Sequence, residues 1–136
     1  MKVSLRMRTA DIAAFKQSLN MATQKIVTAA DASLDAAASH AFTLTQARTP
    51  HVTGALRASA RLTPNNAGER LQRTISYGNS VTNPRTGRPT SKYAKRVHET
   101  FNPKRPNSYK WLEYAIRDYG KEQFMHDLAS NLKSAL

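Results

Sequence analysis

Four histidines, nine carboxylates and several serines are the residues of this 136-residue chain that could move protons or hold a metal. Zinc sites place imidazoles at close, regular spacing, such as i and i+4 on a helix. His40, His51, His98 and His126 offer no such pair, so each reads as a solvated or core-edge side chain. His98 and Glu99 adjoin in a stretch that reads as a strand, where neighbours point to opposite faces. The absence of cysteine excludes a thiol nucleophile, a disulfide framework and Cys-ligated zinc. No Gly-x-Ser-x-Gly elbow occurs, and the glycines do not gather into a phosphate-cradling loop. Asp118, Glu122 and Asp127 fall among lysines near the end of the chain and read as an exposed helix face. We therefore expect no catalytic residue, no cofactor and no metal site.

Charge is the stronger signal. Lys and Arg number 21 against 9 Asp and Glu, a net charge of +12 and a pI near 10.5. Residues 1–47 carry a net +2, residues 48–105 a net +10, and residues 106–136 none. Charge concentrated in one segment bears on partners rather than on fold. Arg57 and Arg61 share one face of an expected strand, with Arg48 just before it. Arg85, Arg88, Lys92, Lys95, Arg96, Lys104 and Arg105 lie on or beside an expected loop. Tyr77, Tyr93, Phe101 and Tyr109 interleave with them, a combination that suits single-stranded nucleic acid. Tyr77 and Tyr93 read as core-edge residues at strand spacing, and the ten cations as a surface facing DNA or an acidic protein.

The elements that must carry these residues follow from periodicity. The length fits one domain, residues 1–136, with a single core. No apolar run approaches the roughly 20 residues that span a bilayer, and the charged start lacks the apolar segment of a secretory signal. Val3, Leu5 and Met7 alternate with polar residues and predict a strand. Ile12, Phe15, Leu19, Ala22, Ile26, Ala30, Leu34, Ala37, Ala41 and Leu44 recur at steps of three and four. They predict a helix from about residue 10 to 47, roughly 55 Å long. Thr28 and Asp31 stand at capping-box spacing, so the segment reads as one helix or as two meeting near residues 29–31. Pro50 ends it.

Leu56, Ala58, Ala60 and Leu62 then alternate with Arg57, Ser59, Arg61 and Thr63, predicting a strand with a basic outer face. Residues 64–68 compose a turn, and Leu71–Tyr77 a second, antiparallel strand. Residues 79–92, with two prolines and few apolar side chains, predict a mobile basic loop. Tyr93–Glu99 reads as a third short strand of this region. Ser108 can cap a C-terminal helix on which Leu112, Ala115, Ile116 and Tyr119 form one apolar face, with Trp111 beside it. Phe124, Leu128 and Leu132 form a second stripe rotated by nearly half a turn. Either Gly120 breaks this helix or the second stripe meets another subunit, and we take the stripe as a subunit interface. The expected fold is α+β: a small antiparallel sheet of about four strands against a long N-terminal helix (or two helices) and a C-terminal helix.

The segment Ala47-Arg48-Thr49-Pro50-His51-Val52-Thr53-Gly54-Ala55-Leu56-Arg57-Ala58-Ser59 resembles a block of the small neck, or tail-completion, proteins of long-tailed bacteriophages, the gene-product-ten-like family. There a helix ends in Ala-Lys/Arg, and Pro-x-x-Thr-Gly-x-Leu-Arg-x-Ser opens the first hairpin. Tyr93-Ala94-Lys95-Arg96-Val97-His98-Glu99-Thr100 and Trp111-Leu112-Glu113-Tyr114-Ala115 stand where that family has Tyr-Ala-x-x-Val-Glu-x-Gly-Thr and an aromatic-Leu-x-x-Ala helix start. The chain departs from the second block by lacking its glycine and by shifting Glu99 one place. The resemblance spans roughly residues 30–120. It implies a virion structural protein, not an enzyme: a homo-oligomeric ring in the phage neck, joining the DNA-filled head at the portal to the tail. Its partners would be other connector and tail proteins, with non-specific contact to packaged DNA and none to a membrane. Such a subunit is assembled in the host cytoplasm and ends in the virion. Two other readings start from the charge: a basic nucleic-acid-binding module, and a small basic nuclease or toxin, which would need a general base or metal cluster that the sequence does not display.

Overall fold

The computed structural model describes Ser4, residues 9–67 and residues 71–135. The strand expected around Val3, Leu5 and Met7 lies outside the described residues. The fold is α+β, with 64% of the described residues helical and one small antiparallel sheet of two strands. Helix α1 runs from Thr9 to Arg48 without a break, 40 residues and about 60 Å. Of the two readings of this segment, one helix or two meeting near residues 29–31, the first holds. Asp31 caps nothing: with Asp35, one turn further on, it grips Arg73. The helix stops at Thr49, ahead of Pro50.

The face that α1 buries also differs from expectation. The buried positions are Ala29, Ser33, Ala37, Ala41, Thr45 and Thr49, a strict series of fours. At about 100° per residue each step of four advances some 40°, so this line winds around the helix. Small side chains let neighbours approach closely all along it. Leu34 and Leu44 flank the line half-buried, whereas Ile12, Leu19 and Ile26 are exposed.

The strand expected over residues 56–63 is helical in its first half and a strand in its second, and the strand expected from Tyr93 to Glu99 is a helix instead. Ala55–Ala58 forms a single turn, α2, started by Gly54 in the left-handed region at φ 81°. Its buried residues, Ala55, Leu56, Ser59 and Ala60, stand at helical rather than alternating spacing. Ala, Leu and Arg are good helix formers, and no β-branched residue opposes them. Ala94–Glu99 is α3, entered through a 3-10 turn at Thr90–Lys92; Ala94 faces the core with Val97 half-buried beside it. The sheet is thus β1, Arg61–Pro64, paired with β2, Arg73–Ser76, with Leu62 opposite Ile75.

Helix α4, Trp111–Ala135, lies antiparallel along α1: Asp118 meets Arg48, and Asp127 meets His40. Gly120 interrupts it at φ 69° and ψ 160°, a conformation reserved for glycine. The expected rotation of the apolar stripe is absorbed there. Trp111 anchors the core with Leu56 and Ala94, and Tyr77, Val97 and Leu112 pack around them. Tyr77 and His98 meet its indole edge-on, at 5.7 and 4.7 Å between centroids.

Candidate functional site

The joint between α1 and α2 positions the region where the cations converge. The Tyr77 hydroxyl bonds the buried hydroxyls of Thr45 at 2.8 Å and Thr49 at 3.0 Å. Ser59 Oγ donates to the Leu56 carbonyl at 2.6 Å and accepts the Gly78 N–H at 3.0 Å. These bonds hold the Pro50–Gly54 turn, α2 and the end of β2 as one unit. Tyr77 is accordingly a core-edge residue, as its strand spacing implied.

Residues 79–92 form a loop, but a hydrogen-bonded one. Thr90 is fully buried and closes it: Asn79 N–H donates to Thr90 Oγ1 at 2.9 Å, and the Thr90 hydroxyl donates to the Asn79 carbonyl at 3.0 Å. Asn83 N–H donates to the Arg88 carbonyl at 2.9 Å, and Gly87 N–H to the Asn83 carbonyl at 2.8 Å. Polar bonds do here what apolar burial cannot. The tip of this loop, carrying Arg85 and Arg88, faces the Pro50–Gly54 turn across a cavity of about 470 Å³. Lys92 and Arg96 enter from the 3-10 turn and α3, and Arg105 from the connector beyond. Leu56, Val97 and Tyr93 supply an apolar floor.

The ten basic residues therefore separate into two groups. Arg85, Arg88, Lys92, Arg96 and Arg105 share the cavity, are exposed, and have no ion pair or side-chain hydrogen bond among the described residues. No carboxylate among the described residues lines it. The other five lie elsewhere or are engaged. Arg48 pairs with Asp118, whose carboxyl it holds below the usual range. Arg57 Nε donates to the Thr49 carbonyl at 3.1 Å, and Arg61 Nη1 to the Ala58 and Ala60 carbonyls at 2.9 and 2.7 Å. Lys95 faces a separate cleft beside Trp111, and Lys104 is exposed on the connector. Arg57 and Arg61 do not share a strand face, because the backbone between them is helical.

Several side chains carry structure that the sequence reading passed over. Arg73, with its side chain only 6% exposed, binds Asp31 at 2.8 Å and Asp35 at 2.9 Å and ties the sheet to α1. Those hydrogen bonds raise its pKa and lower that of Asp31. Two aspartates one helical turn apart were the available signal. Asp118 and Asp127 are not a purely solvated face. Asp127 accepts from the Tyr119 hydroxyl at 2.7 Å and from Gln123 at 2.8 Å, with His40 at 3.3 Å. These hydrogen bonds, Tyr119 first, hold its carboxyl down to about 2. Burial and the same carboxylate push the Tyr119 phenol up. His98 and Glu99 do not point apart, since α3 is a helix: Nδ1 lies 2.8 Å from Glu99 Oε1. That contact lowers the Glu99 pKa. His98, Glu99 and Glu113 bring three potential metal ligands together. Lys110 already supplies a cation there, 3.9 Å from Glu99 and 3.6 Å from Glu113, and the carboxylates raise its pKa, Glu113 most.

Phe124, Leu128 and Leu132, expected at a subunit interface, are half-buried within the single chain. Phe124 sits edge-on to Tyr119 and shares a groove with Leu34 and Ala37 of α1. No family model, curated protein or solved structure matches this chain.

Proposed function

We propose that the chain is a virion structural protein without enzymatic activity, a subunit of a homo-oligomeric ring that joins the head of a long-tailed phage to its tail. The observation that carries this reading is the outer half of α1. Residues 9–28 form a helix of about 30 Å that leaves Ile12, Leu19, Ile26 and Val27 half exposed or more. Ile12, Phe15, Leu19, Ala22 and Ile26 recur at alternating steps of three and four, the spacing of a helix-packing seam. Its residues Ile12, Leu19 and Ile26, uncovered among the described residues, suit a contact between copies. The resemblance of residues 47–59 to the phage neck block supports the assignment of the ring. Its elements have physical roles here: Pro50 follows the helix end, Gly54 takes a positive φ and Leu56 enters the core. Contacts around a ring join two different patches, and the seam supplies one of them. The ring would lie between portal and tail and bind neighbouring connector proteins there.

Negative-stain electron microscopy and sedimentation velocity of the purified protein test this reading. Closed rings of uniform size are the expected result. A monomer at all accessible concentrations would overturn it. The unpaired cations around the 470 Å³ cavity favour a second reading, a basic nucleic-acid-binding module that acts without assembling.

A further inference from the structure

We infer that the cavity between the 83–88 loop tip, α3 and the Pro50–Gly54 turn is a binding site for the phosphodiester backbone of nucleic acid. The inference goes beyond the ring reading and does not need it, because a connector subunit and a free module could both carry such a site.

The argument begins with a cost. Arg85 and Arg88 of the loop tip, Lys92, Arg96 and Arg105 surround one cavity that no carboxylate among the described residues lines. Like charges gathered in this way repel one another in the free protein. Some cations elsewhere are neutralised: Arg48 has Asp118, Arg73 has Asp31 and Asp35, and Lys110 has Glu99 and Glu113. The cavity gathers five cations that have no such partner among the described residues, and an external anion relieves their repulsion.

The chemistry favours phosphate. Four of the five cations are arginines, whose planar guanidinium meets phosphate oxygens through two parallel N–H bonds. Phosphates recur along a strand, as these cations recur around the cavity. Half-buried Tyr93 and Val97 add apolar surface beside them, suited to the face of a base. The loop that carries Arg85 and Arg88 is braced by the bonds of Asn83 and Thr90, so the site exists before the ligand arrives.

The test compares two pairs of substitutions that remove equal charge from exposed positions. Arg88→Ala with Arg96→Ala empties part of the cavity rim, and Lys121→Ala with Lys133→Ala removes cations from α4. Binding of a fluorescent 20-mer, single- or double-stranded, is followed by anisotropy from low salt to about 0.3 M, with circular dichroism to establish folding. Losing two phosphate contacts lowers the slope of log K against log salt by about 1.8 on duplex DNA and weakens binding about 30-fold near 0.15 M salt. The cavity pair is expected to show that loss, and the α4 pair less than a third of the slope change. Arg85→Gln with Arg105→Gln, at other positions of the rim, is expected to behave like the first pair. Equal effects of the cavity and α4 pairs would overturn the inference, because binding would then follow net charge alone. Displacement of the 20-mer by a poly-glutamate peptide at lower charge concentration than by unlabelled oligonucleotide would also overturn it, in favour of an acidic protein partner. Ring formation, read by sedimentation on the same samples, reports separately on the proposed function.

Discussion

Gly78 follows the end of β2 at φ 86°, and a Cβ there would lie 2.9 Å from the Cβ of Ala94. Both the backbone angle and the space therefore require glycine. Gly87 has a similar φ of 69° but open space around it. Gly78→Ala is expected to cost about 3 kcal/mol, a left-handed term plus overpacking, whereas Gly87→Ala pays only the first, about 1 kcal/mol. Urea denaturation of the two variants checks this, and equal midpoints would mean that α3 does not press on Gly78. Leu56 and Arg57 make a second contrast. Leu56→Asp buries a carboxylate beside Trp111 and is expected to lose several kcal/mol. Arg57→Ala gives up one hydrogen bond to the Thr49 carbonyl, about 1 kcal/mol. Thermal melts that shift equally would show that Leu56 is not in the core. The inward place of Leu56 was legible in the sequence although its element was not, since a strand and a helical turn both bury it. Gly54 was legible too, because Pro50 fixes where the helix must stop and turn. Gly78 was not, because the atom that forbids a side chain belongs to a residue distant in sequence.

Helix α4 turns at Gly120, and the contacts on either side of that turn are polar ones reaching α1. Asp127 joins Tyr119, Gln123 and His40, and its carboxyl is held down to about 2. A carboxylate more acidic in the folded chain than in the unfolded one stabilises the fold above its unfolded pKa, about 3.9. That contribution is lost as pH falls from about 4 to about 2. The thermal midpoint of the wild-type protein is therefore expected to drop across this window, and that of Asp127→Asn to drop less. Parallel pH profiles would show that Asp127 is not held in this network. The sequence displayed α1 and α4 clearly, since long periodic segments leave little ambiguity. It misreported α2 and α3 because four to six residues span fewer than two helical turns, where alternation and helical spacing share some of the inward apolar positions. It also misplaced the buried line of α1. The line is built of Ala, Ser and Thr, which a search for large apolar residues passes over, although close helix packing favours them.

At the scale of the molecule, the described chain has a packed end and a bare one. Residues 29–48 of α1 are covered by α4, the sheet and the Tyr77 joint, whereas residues 9–28 extend beyond, with Ile12, Leu19, Met21, Ile26 and Val27 exposed. The cation-lined cavity lies at the packed end, where α2, α3 and the 79–92 loop meet. The two features need not serve the same partner, and mutation can separate them. The apolar stripe first expected to join subunits, Phe124, Leu128 and Leu132, is half-covered within the chain, while the seam on α1 is not. Leu19→Glu with Ile26→Glu places charge on the uncovered seam. It is expected to abolish assembly and leave a folded monomer, because neither side chain contributes to the core and exposed substitutions shift stability by only about 0.5 kcal/mol. Phe124→Glu with Leu128→Glu charges the α1–α4 groove instead, and is expected to lower the thermal midpoint of the monomer itself. Sedimentation velocity and circular dichroism on both variants decide between the two surfaces. If the α4 pair disassembles the ring without destabilising the subunit, then α4 is the contact and the seam on α1 is free for another protein. If the α1 pair unfolds, the outer half of the helix is part of the fold. Normal rings from the α1 pair would leave the exposed seam with no role in assembly.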